Sequence, residues 1–251
     1  MVSVLLSGCN GNMGNELIKH INTTSNFNII CGFDKITSLN GKFPIYSSFN
    51  DIKENIDVII DFSVPLASIN MLSYAKSKNI PMVIATTGFN SKQLTFIKET
   101  SKFIPIFKSA NMSFEINIMN LLVSKLSKLL CDSDIEIVET HHREKIDAPS
   151  GTALMLANTI NHSRNYSMSY TYNRANFRAK RNKNEIGIHS IRGGTEVGKH
   201  SVLFLGNDEN FEITHTVSSR SIFASGALKA ATFIINQKPG LYSMNDIVKL
   251  D

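Results

Sequence analysis

A chain of 251 residues, 42% apolar and 19% charged, has the make-up of an ordinary soluble globular protein of one large or two modest domains. Its net charge of +5 is mild and spread along the chain, so it selects neither a nucleic acid nor an anionic small molecule. Three scattered cysteines, Cys9, Cys31 and Cys131, form no C-x-x-C pair and His-Glu-x-x-His is absent, which excludes a disulfide framework and argues against a metal.

The opening MVSVLLSGCNG has no basic leader and its apolar run breaks at Ser7-Gly8, so it reads as a first strand and not a signal peptide. No apolar run reaches the length of a membrane span, and a cytoplasmic protein is expected. Further apolar runs follow at Phe27–Asp34, Asp57–Asp61, Pro81–Ala85 and Phe103–Phe107, separated by amphipathic stretches near Asn12–His20, Pro65–Lys78 and Ser91–Lys102. Strand and helix in alternation predict a Rossmann-like α/β domain with a parallel sheet, whose ligands sit beyond the carboxyl ends of the strands.

The first such loop carries the clearest signal. Gly8-x-x-Gly11-x-x-Gly14 lies between a strand and a helix, where backbone N–H groups and the helix dipole hold a pyrophosphate. Here Cys9 stands where the first glycine of the usual G-x-G-x-x-G would be, so Gly8 has to make the turn one residue early, Gly11 lets the phosphates approach and Gly14 lets the helix pack on its strand. Asp34 closes the second strand 20 residues past Gly14, where an acid accepts from a ribose 2′-OH, and Lys35 beside it suits a 2′-phosphate. The pair points to NADH and NADPH together. The alternative is a structural turn with a surface acid nearby. Asp61-Phe62-Ser63 and Ala85-Thr86-Thr87-Gly88 are placed to wrap the nicotinamide half, although such strings are more often plain turns.

After residue 112 the pattern changes. Met119, Leu122, Val123, Leu126, Leu129 and Leu130 predict one long amphipathic helix, followed by a strand at Asp134–Thr140 and a helix at Ala153–Ile160. Strands at Glu185–Ile191, Ser201–Leu205 and Phe211–Val217 predict an α+β domain with a mostly antiparallel sheet. Phe223–Ile235 reads as an apolar helix, and Pro239-Gly240 as the start of a tail. Arg174–Lys183 holds five basic residues with one interleaved aromatic, Phe177, and reads as a solvated loop.

ETHHREKIDAPSGTAL, residues 139–154, holds the second cluster of chemistry. His141 and His142 point to opposite faces if the strand persists, so they should have different tasks. Ser150-Gly151-Thr152 opens a helix behind Pro149, and its free N–H groups and hydroxyls form an anion cradle facing the cationic loop with Lys145. A histidine there can deliver a proton near neutrality, and two carboxylates fit the cations. A capped helix beside a surface loop is the plainer reading of any one of these residues alone.

SGCNGNMGNELI, DFSVPLASINML, ATTGF, SANMSFEIN, ETHHREKIDAPSGTAL, IRGGTEVGKHSVLF and FEITHTVSSRSIFASGALKAATFI, in this order over nearly the whole chain, resemble the dihydrodipicolinate (4-hydroxy-tetrahydrodipicolinate) reductase family. The resemblance implies a dinucleotide-binding domain of residues 1–112 and 222–251 and a substrate-binding and oligomerisation domain of residues 113–221. It implies reduction of a cyclic imine dicarboxylate with loss of water in diaminopimelate and lysine biosynthesis, domain closure over the crevice, and a homotetramer assembled through the second sheet. It makes His141 the acid/base residue and Lys145 a proton donor that also holds substrate. His142, Gly151 and Thr152 would bind the substrate carboxylates, with Arg220 a further candidate. Gly8, Cys9, Asn10, Gly11, Asn12, Met13, Asp34, Lys35, Ala85, Thr86, Thr87, Ser109, Ala110, Asn111 and Met112 would hold NADH or NADPH. Glu115 and the Arg174–Lys183 loop depart from the family pattern. The rival readings are a dehydrogenase of similar architecture acting on an amino acid or semialdehyde, a non-catalytic dinucleotide sensor, and a nucleic-acid binder using the basic loop; none of these needs the His-His-Lys and Ser-Gly-Thr arrangement.

Overall fold

The computed structural model describes residues 1–23, 26–37, 42–109, 111–172, 174–176 and 178–248. In chain order the elements are β1 (Val2–Ser7), α1 (Asn12–Ile21), β2 (Phe27–Phe33), β3 (Ile45–Tyr46), β4 (Val58–Asp61), α2 (Pro65–Lys78), β5 (Met82–Ile84), α3 (Ser91–Thr100) and β6 (Pro105–Lys108). Then come α4 (Phe114–Leu129), β7 (Asp134–His141), α5 (Gly151–Ser163), β8 (Ser169–Thr171), β9 (Glu185–Arg192), β10 (Gly198–Leu205), β11 (Asn210–Val217), α6 (Ser221–Ile234), β12 (Gly240–Tyr242) and α7 (Met244–Ile247). The chain divides into one unit of residues 1–114 and 220–251 and a second of residues 115–219.

The first unit is built on a seven-stranded sheet in the order β12-β6-β5-β4-β1-β2-β3, parallel throughout. Helices α1 and α6 cover one face with Leu17, Ile21, Ala224, Ala227 and Ala231, and α2 and α3 cover the other with Met71, Leu72, Ala75 and Ile97. Burial on both faces is why the strands VSVLLS, VIID and MVI are nearly unbroken apolar runs. Local chemistry sets the helix ends: Pro65 starts α2, left-handed Asn79 ends it, and an Asn90–Gln93 capping box starts α3. The strand order reverses between β1 and β4, so the loops after these two strands face one crevice. The segment read as a terminal tail contributes β12, which pairs with β6 through Leu241 and Ile106. At three residues that strand is too short to show a period.

In the second unit the sheet order is β11-β10-β7-β9-β8. It is mixed, with most of its paired residues antiparallel: β10 runs antiparallel to β7 and β11, whereas β7–β9 and β8–β9 are parallel. The cause is connectivity, because α5 carries the chain back across the sheet after β7 and a helical crossover returns a strand in the same direction. Helices α4 and α5 pack on one face, with Ile116, Met119, Val123, Leu156 and Ile160 against Ile135, Ile137, Ile188, Val202 and Phe204. Along β7 the burial alternates, so Ile135, Ile137, Glu139 and His141 share the helix-covered face.

Candidate active site

The dinucleotide candidates surround a cleft of about 420 Å³ lined by Ser7, Gly8, Asn10, Gly11, Phe33, Asp34, Lys35, Phe62, Ser63, Val64 and Ala67. Gly8 turns the chain at φ +74°, and a Cβ there would lie 2.6 Å from the Phe62 carbonyl oxygen, so only glycine fits between β1 and the loop after β4. A Cβ on Gly14 would come within 2.4 Å of the Gly8 oxygen, which is what lets α1 seat on its strand. Gly11 is the N-cap of α1, with Asn12 and Met13 in its first turn and their N–H groups at the mouth of the loop. Cys9 is fully buried, and burial, joined by the Asp34 charge, pushes its thiol up to about 11; it is packing, not a nucleophile.

Asp34 is fixed by two backbone donors, Asn10 N–H to Oδ2 at 3.0 Å and Lys35 N–H to Oδ1 at 2.7 Å. The Asn10 amide reaches the Ile36 carbonyl at 2.8 Å and closes the same rim. One buried acid organises the neighbouring loops. Asp61, the last residue of β4, is wholly buried and accepts from the hydroxyls of Ser63 (2.6 Å), Ser68 (2.5 Å) and Thr86 (2.7 Å), tying together the loop after β4, helix α2 and the loop after β5. Thr86 is thereby turned inward, while Ala85 is half-buried and Thr87 exposed. Beyond β6, Ser109 donates to the Asn111 carbonyl at 2.8 Å and the Asn111 side chain accepts from Ser113 N–H at 2.8 Å, with Met112 buried beneath. Ala110 lies outside the described residues. A glycine turn that a Cβ would fill, a helix N-terminus and a fixed acid suit a dinucleotide.

The second unit gathers its chemistry at the end of β7. His141 is 8% exposed, and its Nδ1 meets the Glu139 carboxylate at 2.5 Å. The same carboxylate accepts both arms of Arg192 on β9, at 2.8 and 2.9 Å, and the Ser150 N–H at 3.2 Å. Arg192 also reaches the Asp147 carbonyl at 2.5 Å, and Lys145 Nζ pairs with the Asp147 carboxylate at 2.7 Å. Ser150 caps α5 by accepting from Ala153 N–H at 3.1 Å, and its hydroxyl meets His200 Nε2 at 2.9 Å. The rings of His141 and His200 stand edge to face, 5.1 Å apart. His142 follows the strand, half-exposed, its N–H bound to the Glu196 carbonyl at 2.7 Å. Gly151 and Thr152 begin α5, with open space where a Gly151 side chain would stand. Histidine, lysine and a helix N-terminus therefore converge within this unit. Exposed Arg220 belongs to the other unit, at the N-cap of α6.

The charges follow from these contacts. Burial raises the Glu139 carboxyl, but hydrogen bonds from Arg192, Ser190 and His141 outweigh it and hold the group at about 2. Burial, joined by the Lys145 and Arg192 charges, holds His141 below the ordinary imidazole value against the raising pull of Glu139. Deeper burial, together with the His141 charge, brings His200 down to about 4. Asp147 is lowered chiefly by the hydrogen bond from Lys145.

Glu139, Arg192 and His200 were not among the site residues expected from the sequence, and Asp61 was expected only as part of a loop near the nicotinamide, not as a buried hub. A strand alternation through His141 puts Glu139 on the same face two residues earlier, and that was the available signal; Arg192 and His200 come from strands whose register no local pattern fixes. Glu139, His141 and His200 offer ligand atoms within 4.8 Å of one another. The carboxylate, though, is already gripped by Arg192, which a cation would have to displace. The basic loop is tied to acids: Arg181 bonds Asp134 (2.7 Å), Glu136 (3.0 Å) and the Ile135 carbonyl (3.0 Å), Arg174 pairs with Glu185, and Lys183 with Asp132 at 3.5 Å. Exposed Glu115 sits in the first turn of α4, where the helix dipole favours an acid.

A parallel doubly wound sheet with a glycine loop at its switch point, joined to a unit bearing a buried histidine and a helix N-terminus, has the make-up of an NAD(P)H-dependent oxidoreductase. Residues 2–112 match the family described as dihydrodipicolinate reductase, N-terminus, and residues 115–248 match dihydrodipicolinate reductase, C-terminus. The chain belongs to the dihydrodipicolinate reductase family. It is 48% identical over 249 residues to the 4-hydroxy-tetrahydrodipicolinate reductase of Caldanaerobacter subterraneus subsp. tengcongensis, covering 99% of each chain. To that of Clostridium novyi it is 45% identical over 250 residues, again covering 99% of each. Its fold matches the dipicolinate-bound dihydrodipicolinate reductase of Paenisporosarcina sp. TG-14 with a TM-score of 0.80, at 24% identity, over 99% of this chain and 100% of that one.

Proposed function

We propose that this chain reduces 4-hydroxy-tetrahydrodipicolinate to tetrahydrodipicolinate with loss of water, an NAD(P)H-dependent step of diaminopimelate and lysine biosynthesis. The observation that carries the reading is 48% identity to a 4-hydroxy-tetrahydrodipicolinate reductase along 99% of both chains. The dinucleotide belongs at the cleft of Gly8, Gly11 and Asp34, and when bound it supplies hydride to the substrate ring.

The chain's own residues do the remaining work. Lys145 and the N-terminal N–H groups of α5, with Gly151 and Thr152, hold the carboxylates, and His142 lines the same cradle. Charge-assisted hydrogen bonds of this kind contribute about 1.5–3 kcal/mol each. His141 delivers a proton to the ring carbon next to the reduced one, and its lowered pKa makes the protonated ring a strong donor. Lys145, kept close by Asp147, is the second proton source.

A small dicarboxylate is favoured over nucleic acid because three of the basic loop's cations are already paired with acids of the same unit. No helix among the described residues is long and apolar enough to cross a membrane, and we place the enzyme in the cytoplasm. A homotetramer built on the β7–β11 sheet is part of the same reading, with Ile191 half-exposed on the face opposite α4 and α5 as its support. The test is a coupled assay in which dihydrodipicolinate synthase, pyruvate and aspartate semialdehyde supply fresh substrate while NADH and NADPH oxidation are followed in parallel. Turnover that Lys145→Ala loses is expected. Absence of turnover from protein that binds dinucleotide would overturn the reading and favour a related dehydrogenase.

A further inference from the structure

We propose that Glu139, gripped by Arg192, is a positioning residue that fixes His141 in the Nδ1–H tautomer and so makes Nε2 the atom that exchanges a proton with substrate. The assignment rests on the reading of His141 as the proton donor, and extends it to groups that touch neither substrate nor cofactor.

The geometry permits one arrangement of hydrogens. The Glu139 carboxylate is wholly buried, and three of its contacts come from groups that can only donate: the two guanidinium arms of Arg192 and the Ser150 N–H. An ionised carboxylate only accepts, so the 2.5 Å contact with His141 Nδ1 needs the proton on the ring nitrogen. Nε2 is then bare in the neutral ring and carries the transferable proton in the charged one. That nitrogen is on the ring edge beside Gly198, where the main chain carries no side chain.

Arg192 gives the pair a second property. A lone buried carboxylate would favour the charged imidazole; with the guanidinium against both oxygens, Glu139 orients the ring while burial and the Lys145 and Arg192 charges oppose its pull on the proton. The charged and titratable groups around the ring are Glu139 on its own strand, Arg192 on β9, His200 on β10 and Lys145 in the following loop. Through the Asp147 carbonyl Arg192 also braces the loop that carries Lys145, so one guanidinium sets the position of both proton donors.

The test is proton-detected nitrogen-15 NMR of the full-length protein labelled in its histidines, at a pH above the imidazole range, with His141 assigned by loss of its signals in His141→Gln. The expected spectrum has a protonated Nδ1 and a bare Nε2 for His141. Glu139→Gln is expected to disturb that pattern, to lower kcat about 10²-fold, as loss of an oriented acid does, to leave KM and NADH affinity near wild type, and to shift the pH limb of kcat. A wild-type His141 protonated at Nε2 would overturn the proposal without any variant having to fold. So would Glu139→Gln with wild-type kcat and pH profile. Full turnover by His141→Ala removes the proposal by a different route, by removing the underlying reading, and the tautomer spectrum tells the two failures apart.

Discussion

Gly198 lies so close to His141 that a Cβ on it would come within 3.1 Å of Nε2 and 3.4 Å of Cδ2. Gly198 on the neighbouring strand β10 thus sets no side chain of its own against the Nε2 edge of the imidazole, the edge proposed to exchange the proton. We predict that Gly198→Ala displaces the ring and lowers kcat about tenfold or more, a loss of at least about 1.4 kcal/mol in transition-state stabilisation, while dinucleotide affinity is unchanged. Steady-state kinetics beside an NADH titration check this, and an unaltered kcat would show that the ring has room the geometry denies it.

Asp61 offers a second test, in the other unit. An amide here puts an N–H₂ group, which can only donate, where a carboxylate oxygen accepts, so the hydroxyls on that side have to rotate to act as acceptors and their own protons lose the carboxylate partner. Asp61→Asn is expected to cost about 1–3 kcal/mol of stability, the range for a buried unsatisfied group. It should also weaken NADH binding, because Thr86 and Ser63 lose their anchor. Thermal melts and a fluorescence titration of NADH measure the two effects, and a stable variant with full affinity would contradict the role given to Asp61.

His142 and Lys145, in the loop after β7, should separate in kinetics. His142 is half-exposed beyond the end of β7 and on the proposed reading serves binding alone, so His142→Ala is predicted to raise KM with kcat little changed. Lys145→Ala is predicted to damage both constants, since the proposed function has the ammonium both hold a carboxylate and donate a proton. Equal patterns in the two variants would contradict the division of labour.

Much of this was legible beforehand. The first unit's strands β1, β2 and β4 to β6, its helices α1 to α3 and α6, and the loops holding Gly8, Asp34 and His141 follow from period, turn chemistry and motif spacing, whereas β3, β12 and α7 are too short to show a pattern. Glu139, Arg192 and His200 were not legible as a group, because β7, β9 and β10 bring them together from positions up to 61 residues apart. Register between distant strands depends on packing that no local window contains. Asp61 shows the same limit: at the end of an apolar run it looks like any turn acid, and only the arrival of Ser68 and Thr86 makes it a buried hub. The parallel pairing of β9 was missed because apolar alternation gives a strand's faces and not its direction.

His200 predicts a particular acid sensitivity. In the folded protein it takes a proton only near pH 4, whereas in the unfolded chain it does so near 6.5. The unfolded state therefore binds the proton first, and stability is lost as pH falls from 6.5 to 4, at up to about 1.4 kcal/mol per pH unit. Glu139 acts in a lower window: its contribution is complete above 4.5 and disappears as pH falls towards 2. Urea unfolding at pH 7, 5.5 and 4.5 should show His200→Gln losing less stability than wild type across that range. Parallel losses in the two proteins would contradict it.

The central claim, that the His141 cluster carries out the proton transfer of an NAD(P)H-dependent reduction, is tested most directly by kcat of His141→Ala in the coupled assay, alongside its NADH dissociation constant. The predicted result is a fall in kcat of about 10²–10⁴-fold, the range for removing a general acid, with NADH binding unchanged. Wild-type kcat in that variant would contradict the account.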